Sequence, residues 1–126
     1  MAKRTLDIIR IHKAQFYAYH GVLTDEQTLG GRFEVDVDLY CDLTKSGVSD
    51  HLEDTVNYER VYDCIRQIIL GKKFFLLETL GRKIADGILK DFKKVKSVAI
   101  RVRKPGAPVK GVIDHVEVEM RVDRRR

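Results

Sequence analysis

The sequence predicts an α+β fold in which an antiparallel four-stranded sheet carries two helices on one face, in the order ββααββ. Four segments alternate apolar and polar residues as strands do, two toward each end of the chain. Two segments between them repeat apolar residues at helical spacing. The 126 residues contain no linker-like stretch. We therefore expect a single domain over residues 1–126, with short basic ends at 1–5 and 124–126.

The first two strands are predicted at residues 6–17 and 33–41. The first contains four apolar residues among polar ones: Leu6, Ile8, Ile9 and Ile11. The second alternates strictly, with Phe33, Val35, Val37, Leu39 and Cys41 on one face and Glu34, Asp36, Asp38 and Tyr40 on the other. This pattern predicts one buried face and one wet face. The connection 18–32 is too long for a tight hairpin, and long ordered loops are often functional.

A polar loop, 45–55, precedes the predicted helices. The first helix is expected to be capped by Thr55 or Asn57 and to end at Gly71. Its apolar stripe is Val61, Ile65, Ile68 and Ile69. The second helix starts near Leu76, and its stripe is Leu77, Leu80, Ile84, Ile88 and Leu89, closed by Phe92. Two more alternating segments follow, at 98–102 and 116–122, and Pro105 stops the first of them.

Small open sheets often pair their edges with other subunits, so we expect an oligomer.

The net charge of +5 is weak support for binding to nucleic acid. Five basic residues at the ends account for all of it: Lys3, Arg4, Arg124, Arg125 and Arg126. Residues 5–123 are therefore close to neutral, and we interpret the basic ends as aids to solubility. The sequence has no apolar run of membrane length and does not begin like a secretory signal, so a cytoplasmic protein is expected.

The cysteines and histidines do not form a recognisable metal pattern. Cys41 and Cys64 fall on apolar faces and are expected to be buried thiols without a disulfide. The histidines are scattered, at positions 12, 20, 51 and 115. We therefore predict no metal site.

Four polar residues are notable for where they stand. Glu26 lies in the long first loop, Tyr58 follows the second loop, Glu78 opens the second helix, and Lys104 ends a strand before Pro105. Each also has an ordinary explanation. A glutamate at a helix start, for example, simply complements the helix dipole, which is worth about 0.3–1 kcal/mol.

Read together, the segments around these residues resemble the dihydroneopterin aldolase family of folate biosynthesis. The matching segments, in order, are His20-Gly-Val-Leu-Thr-Asp-Glu26, Asp54-Thr-Val-Asn-Tyr58, Leu76-Leu-Glu78 and Lys104-Pro-Gly-Ala-Pro108. The first two are the most specific, and the resemblance extends from the first strand to the last.

The resemblance implies a tunnelling fold, in which ββααββ subunits join edge to edge into a β-barrel ring. It implies a homo-octamer of two stacked tetrameric rings, with active sites between subunits. The implied reaction is a metal-independent retro-aldol cleavage of dihydroneopterin to hydroxymethyl-dihydropterin and glycolaldehyde, with epimerisation to dihydromonapterin in many members. No cofactor is needed, because the ring C=N bond of the pterin accepts the electrons of the broken bond.

The resemblance also assigns roles to residues. Glu78 is expected to anchor the pterin through a bidentate pair of hydrogen bonds, helped by the backbone of Leu77. Lys104 is expected to stabilise charge and assist proton transfer near the ring nitrogen. Tyr58, supplied by the neighbouring subunit, and Glu26 are expected to serve the hydroxylated side chain.

Two further roles concern residues without acid–base function in this scheme. Val56 is expected to contact the pterin ring. His20 lies in a matching segment but is expected to have a structural role.

Alternative functions remain open. A dihydroneopterin triphosphate epimerase on the same fold needs extra basic residues near the substrate side chain, for which Lys110 is a candidate. Zinc enzymes of this fold need a histidine set that the scattered histidines do not supply. A nucleic-acid-binding protein would rest on the basic ends alone. A degenerate structural paralogue is disfavoured because all four polar positions are retained.

Overall fold

The computed structural model describes residues 5–125. The predicted basic positions Lys3, Arg4 and Arg126 lie outside these residues. The strands are β1 (Asp7–Ala18), β2 (Gly31–Cys41), β3 (Ser97–Pro105) and β4 (His115–Asp123). The helices are α1 (Thr24–Thr28), α2 (Thr44–Ser49), α3 (Tyr58–Leu70) and α4 (Leu77–Asp91), and a 3₁₀ turn spans Leu52–Asp54.

The predicted α+β architecture is confirmed. The sheet has the order β1-β2-β3-β4 and all neighbouring strands are antiparallel. The two long helices α3 and α4 occupy the predicted positions between the strand pairs. Asn57 caps α3 as predicted, since its side chain accepts a hydrogen bond from the Glu59 amide at 3.0 Å. Among residues 5–125, no helix is long and apolar enough to cross a membrane.

Both long helices pack on the same face of the sheet. Helix α3 contacts β1, while α4 contacts β3 and β4. The core they enclose is almost fully buried and is led by Phe33, Val37, Leu39, Ile65, Ile69, Leu80, Ile84, Ile88 and Ile100. Cys41 belongs to this core and Cys64 packs against it, so the predicted burial of the thiols is confirmed for the first and holds in part for the second.

The prediction of a wet second face for β2 is wrong. Glu34, Asp36 and Asp38 are 7%, 9% and 5% exposed. Antiparallel register places Asp36 opposite Arg101 and Glu34 opposite Arg103. The two guanidinium groups cover the carboxylates, with Arg103 donating to Asp36 at 2.8 Å and Arg101 to Asp38 at 2.9 Å. The bond from Arg103, together with bonds from the Lys13 amide and Arg101, holds the pKa of Asp36 well below its usual range.

Arg124 is part of the fold and not a solvated end charge as the sequence analysis assumed. Its guanidinium donates hydrogen bonds to the carbonyl oxygens of Leu89, Phe92 and Val95 at 2.7, 2.8 and 2.9 Å. These groups lie at the carboxyl end of α4 and just beyond it, where carbonyls lack helical partners and the dipole favours a cation. Arg124 therefore ties the end of β4 to the end of α4.

We predict that Arg124→Ala lowers the stability of the protein by about 1–3 kcal/mol, because it removes charge-assisted bonds to backbone carbonyls. The melting temperature should fall for Arg124→Ala and change little for Arg125→Ala, which removes an exposed arginine next to it. Equal melting temperatures for the two variants would contradict the capping role.

Candidate active site

A cleft of about 330 Å³ opens where four segments of the chain converge. These are the turn after β1 with α1, the start of α4, the end of β3, and the loop that leads into β4. The residues that line it are Gly21, Val22, Leu23, Glu26, Phe75, Leu76, Leu77, Glu78, Lys104, Ala107, Pro108 and Val116. Four predicted site residues, Glu26, Leu77, Glu78 and Lys104, thus meet in one cleft although they are far apart in sequence.

Lys104 lies near the end of β3 with its ammonium group at the inner wall of the cleft. The side chain is 13% exposed, and Nζ pairs with the Glu26 carboxylate. Nζ also lies 3.5 Å from the His20 carbonyl oxygen and 5.4 Å from the centre of the Phe33 ring. Burial lowers the pKa of Lys104 from its usual value, so this amine releases a proton more readily than an exposed lysine.

Glu26 projects from the short helix α1 toward Lys104. One carboxylate oxygen pairs with Lys104, and the other accepts a hydrogen bond from the Leu23 amide at 3.1 Å. The side chain is 14% exposed. This carboxylate is therefore held at a fixed position inside the cleft, beside the only lysine among the lining residues.

Gly21 makes room for the Glu26 side chain. Its φ of +150° is a conformation that residues with a Cβ rarely adopt. A Cβ on Gly21 would stand only 2.5 Å from the carboxyl carbon of Glu26. The turn after β1 therefore depends on glycine for both its backbone shape and the position of Glu26.

We predict that Gly21→Ala lowers kcat about 100-fold, because displacement of a positioned group by about 1 Å has an effect of this order. The matched control is Gly47→Ala, since a Cβ there meets no atom within 4 Å. Activity should be measured for both variants below their melting temperatures. Wild-type activity in Gly21→Ala would show that the position of Glu26 does not matter.

Glu78 and Leu77 form the first turn of α4. The cap position before them is Leu76, whose side chain makes no capping bond. The first turn of a helix presents backbone N–H groups that have no intrahelical acceptor. Glu78 is exposed and lines the cleft within this first turn. This arrangement offers both acceptors and donors to a flat polar ligand.

Tyr58 and Val56 do not line this cleft. Tyr58 is the first residue of α3 and is 66% exposed. The Val56 side chain is 4% exposed and packs in the core, at the edge of a separate cavity of about 530 Å³. Within one protomer, the structure therefore brings together four of the six predicted site residues. The roles predicted for Tyr58 and Val56 remain predictions.

The sequence analysis missed the apolar walls of the cleft. Leu23 on one side and Phe75 on the other are both largely exposed. Pro108 and Val116 close the side near β4. These walls could have been predicted from pairs of apolar residues in loops, such as Val22-Leu23 and Phe75-Leu76. Exposed loops mostly carry polar residues, so such pairs indicate a binding surface.

Lys110 is exposed and does not line the cleft. Residues 5–125 contain no group of three or more His, Cys, Asp and Glu side chains arranged to hold a metal ion.

An open sheet backed by helices, with a lysine–carboxylate pair in a partly apolar cleft, has the features of an enzyme that acts on a small molecule. Comparison with known proteins shows its family. The family model for dihydroneopterin aldolase (FolB) matches residues 9–121. The chain belongs to the dihydroneopterin aldolase family, and the predicted aldolase (lyase) activity in folate biosynthesis is confirmed.

Individual relatives agree with this family. The dihydroneopterin aldolase of Bacillus subtilis is 38% identical over 115 residues, which cover 91% of this chain and 96% of that protein. The Vibrio cholerae FolB crystal structure matches with a TM-score of 0.88 and 26% identity, covering 96% of this chain and all of that one. Escherichia coli dihydroneopterin aldolase, solved in complex with neopterin, matches with a TM-score of 0.85 and 26% identity over 93% and 99% of the two chains.

Proposed function

We propose that this protein cleaves 7,8-dihydroneopterin by a metal-independent retro-aldol reaction in the cleft between α1, α4 and β3. The observation that carries the proposal is the convergence of the Lys104–Glu26 pair and Glu78 in one cleft. These groups can hold a polar ring and move protons, which is what the reaction requires of the protein.

The pterin ring is anchored at the start of α4. The Glu78 carboxylate accepts two hydrogen bonds, from the amino group of the ring and the adjacent ring N–H. Backbone N–H groups at Leu77 and Glu78 are suited to the ring carbonyl. The E. coli relative, which was solved with neopterin bound, supports a pterin as the ligand class.

The chemical step breaks the bond between the first and second carbons of the substrate side chain. The hydroxyl group on the second carbon loses its proton and becomes the aldehyde of glycolaldehyde. The electron pair of the broken bond passes to the ring C=N group, whose nitrogen takes a proton. The first carbon then takes up a proton while the ring nitrogen releases its own, which re-forms the C=N bond and gives hydroxymethyl-dihydropterin.

Lys104 is suited to the protons of this step. Its ammonium is buried and its pKa is lowered, so it can donate a proton toward the ring nitrogen, directly or through a water molecule, and take one back. Glu26, fixed beside it, is placed to bind the side-chain hydroxyl groups. If the first carbon adds back to the opposite face of the aldehyde, the second carbon is inverted and dihydromonapterin forms, so epimerisation accompanies cleavage in this scheme.

Tyr58 completes the site from a neighbouring subunit. Its ring is exposed and lies outside the cleft of its own protomer, as expected for a residue that serves another one. Val56, two residues earlier, packs its side chain in the core, so its contact with the same pterin would be made by its backbone. The two edge strands β1 and β4 can pair with those of other copies, giving tetrameric rings and an octamer in the cytoplasm.

The rival activity, epimerisation of dihydroneopterin triphosphate, fits the cleft less well. Its charged lining consists of two carboxylates, Glu26 and Glu78, and one lysine, which is already paired. A triphosphate needs several cations.

The two activities are separated by measuring kcat/KM for dihydroneopterin and for its triphosphate, with chromatographic separation of the products. We expect cleavage of the free alcohol at the higher kcat/KM. Preference for the triphosphate, with an epimer as the only product, would overturn the proposal.

A further inference from the structure

His20 is a buried polar residue that the proposed reaction does not use. It follows β1 and is 2% exposed. Its Nδ1 lies 3.0 Å from the Phe74 amide nitrogen, and its Nε2 lies 2.8 Å from the Ile69 carbonyl oxygen. A backbone N–H can only donate, so Nδ1 accepts and Nε2 must carry the hydrogen. The two bonds define a neutral imidazole in one tautomer.

The ring joins the end of α3 to the connection that leads into α4. Ile69 lies in the last turn of α3, and Phe74 lies in residues 71–76, directly before the Leu77-Glu78 turn. The Phe74 ring stacks on the imidazole with centroids 5.6 Å apart. The Phe33 ring meets the imidazole edge-on at 5.4 Å. His20 therefore fixes the path of the connection that carries Glu78.

The same residue also reaches the opposite wall of the cleft. The Phe74 carbonyl oxygen accepts a hydrogen bond from the Gly21 amide at 2.9 Å. This bond joins the connection before α4 to the turn that positions Glu26. The His20 carbonyl oxygen lies 3.5 Å from Lys104 Nζ. Both walls of the cleft are thus tied to one residue, by its imidazole on one side and its carbonyl on the other.

We propose that His20 is a positioning residue, which in its neutral Nε2–H form sets the distance between Glu78 and the Lys104–Glu26 pair. This inference rests on the proposed function, because it concerns the fit of the cleft to a pterin. A histidine that only filled the core would need no hydrogen bond from its ring to Phe74, and its carbonyl oxygen would not need to face Lys104. Loss of the Phe74 bond would let the Glu78 wall move while the core remained packed.

The two imidazole hydrogen bonds, to Ile69 and Phe74, form a clamp between α3 and the connection. Protonation of His20 would break this clamp, since Nδ1 could no longer accept from Phe74. The charged group that faces the ring is Lys104 of β3, next to Glu26 of α1; the contacting residues of α3 and β2, Ile69 and Phe33, are uncharged. Burial, and secondarily Lys104, lowers the pKa of His20 below its usual 6.5. The unfolded chain therefore takes up this proton first, and stability declines as the pH falls below about 6.5.

The test compares His20→Phe, which keeps an aromatic ring but loses both hydrogen bonds, with His20→Asn, whose side-chain oxygen can accept from Phe74. His51→Asn, at an exposed histidine, is the control. The dissociation constant for neopterin and the kcat for dihydroneopterin are measured below each melting temperature. We expect neopterin binding at least 10-fold weaker in His20→Phe, largely recovered in His20→Asn and unchanged in His51→Asn. A folded His20→Phe protein that binds neopterin as the wild type does would overturn the inference.

A second measurement needs neither ligand nor turnover. Two-bond nitrogen–proton correlation spectra of the wild type should show the Nε2–H tautomer of His20. Hydrogen exchange at Gly21 and Phe74 should accelerate in His20→Phe, and in the wild type when His20 is protonated, but much less in His20→Asn, which keeps an acceptor for the Phe74 amide. The opposite tautomer, or unchanged exchange, would refute the clamp even if the wild type bound no pterin. A wild type with this clamp that neither binds neopterin nor cleaves dihydroneopterin would refute the proposed function instead.

Discussion

Lys104→Ala is expected to lower kcat for dihydroneopterin cleavage by about 10²–10⁴-fold, the usual range for loss of a general acid–base group. The substitution removes the only cation among the residues lining the cleft and leaves the Glu26 carboxylate without its partner. The proposed oligomer should persist, because Lys104 lines the cleft and is not one of the buried core residues between helices and sheet. Steady-state kinetics and size-exclusion chromatography of the same preparation measure both properties.

The matched control for this variant is Lys110→Ala. Lys110 is exposed and lies outside the cleft, so its removal changes the net charge equally without touching the site. We expect near wild-type kcat for Lys110→Ala. A Lys104→Ala protein with a wild-type rate would remove Lys104 from the mechanism.

Glu78→Ala is expected to abolish most of the affinity for the pterin. Two charge-assisted hydrogen bonds are lost, each worth about 1.5–3 kcal/mol, so binding should weaken at least 100-fold. The dissociation constant for neopterin, measured by fluorescence, reports this loss without turnover. Because Glu78 is exposed, the melting temperature should change little.

Glu59→Ala is the matched control for Glu78→Ala. Glu59 is also an exposed glutamate in the first turn of a long helix, so both substitutions remove the same favourable interaction with a helix dipole. Only Glu78→Ala should weaken neopterin binding. If Glu78→Ala and Glu59→Ala lowered the stability equally and neither weakened neopterin binding, Glu78 would only be a carboxylate that stabilises the start of its helix.

Periodicity identified the elements that face the core. The stripes of α3 and α4 and the alternation in β2 are imposed by burial against one another, so they are visible in the sequence. Helices α1 and α2 were predicted as loop because they have only five and six residues and bury none of them. A helix without a buried face leaves no apolar period to detect.

The second face of β2 could not be predicted from its own alternation. Whether Asp36 and Asp38 are wet or covered depends on which side chains of β3 stand opposite them. Antiparallel register places Arg101 opposite Asp36 and Arg103 opposite Glu34, and their guanidinium groups reach on to Asp38 and Asp36. A shift of one residue would have turned both arginines to the other face. The information therefore lies in the pairing of two strands that are distant in sequence.

The cleft was predicted from resemblance and not from spacing. Glu26, Glu78 and Lys104 lie on three elements, and only the sheet order and the packing of α4 bring them together. A structural role was predicted for His20, and its hydrogen bonds agree with that role. Its link to both walls of the cleft depends on Phe74, whose position the sequence pattern did not indicate.

The central claim is that this cleft breaks a carbon–carbon bond of dihydroneopterin without a metal ion. The most direct measurement treats the purified protein with chelator, adds dihydroneopterin, and quantifies hydroxymethyl-dihydropterin, glycolaldehyde and dihydromonapterin. We expect hydroxymethyl-dihydropterin and glycolaldehyde in equal amounts, at a rate that chelation and added Zn²⁺ leave unchanged. Activity that is lost on chelation and restored by metal, or dihydromonapterin as the only product, would contradict the claim.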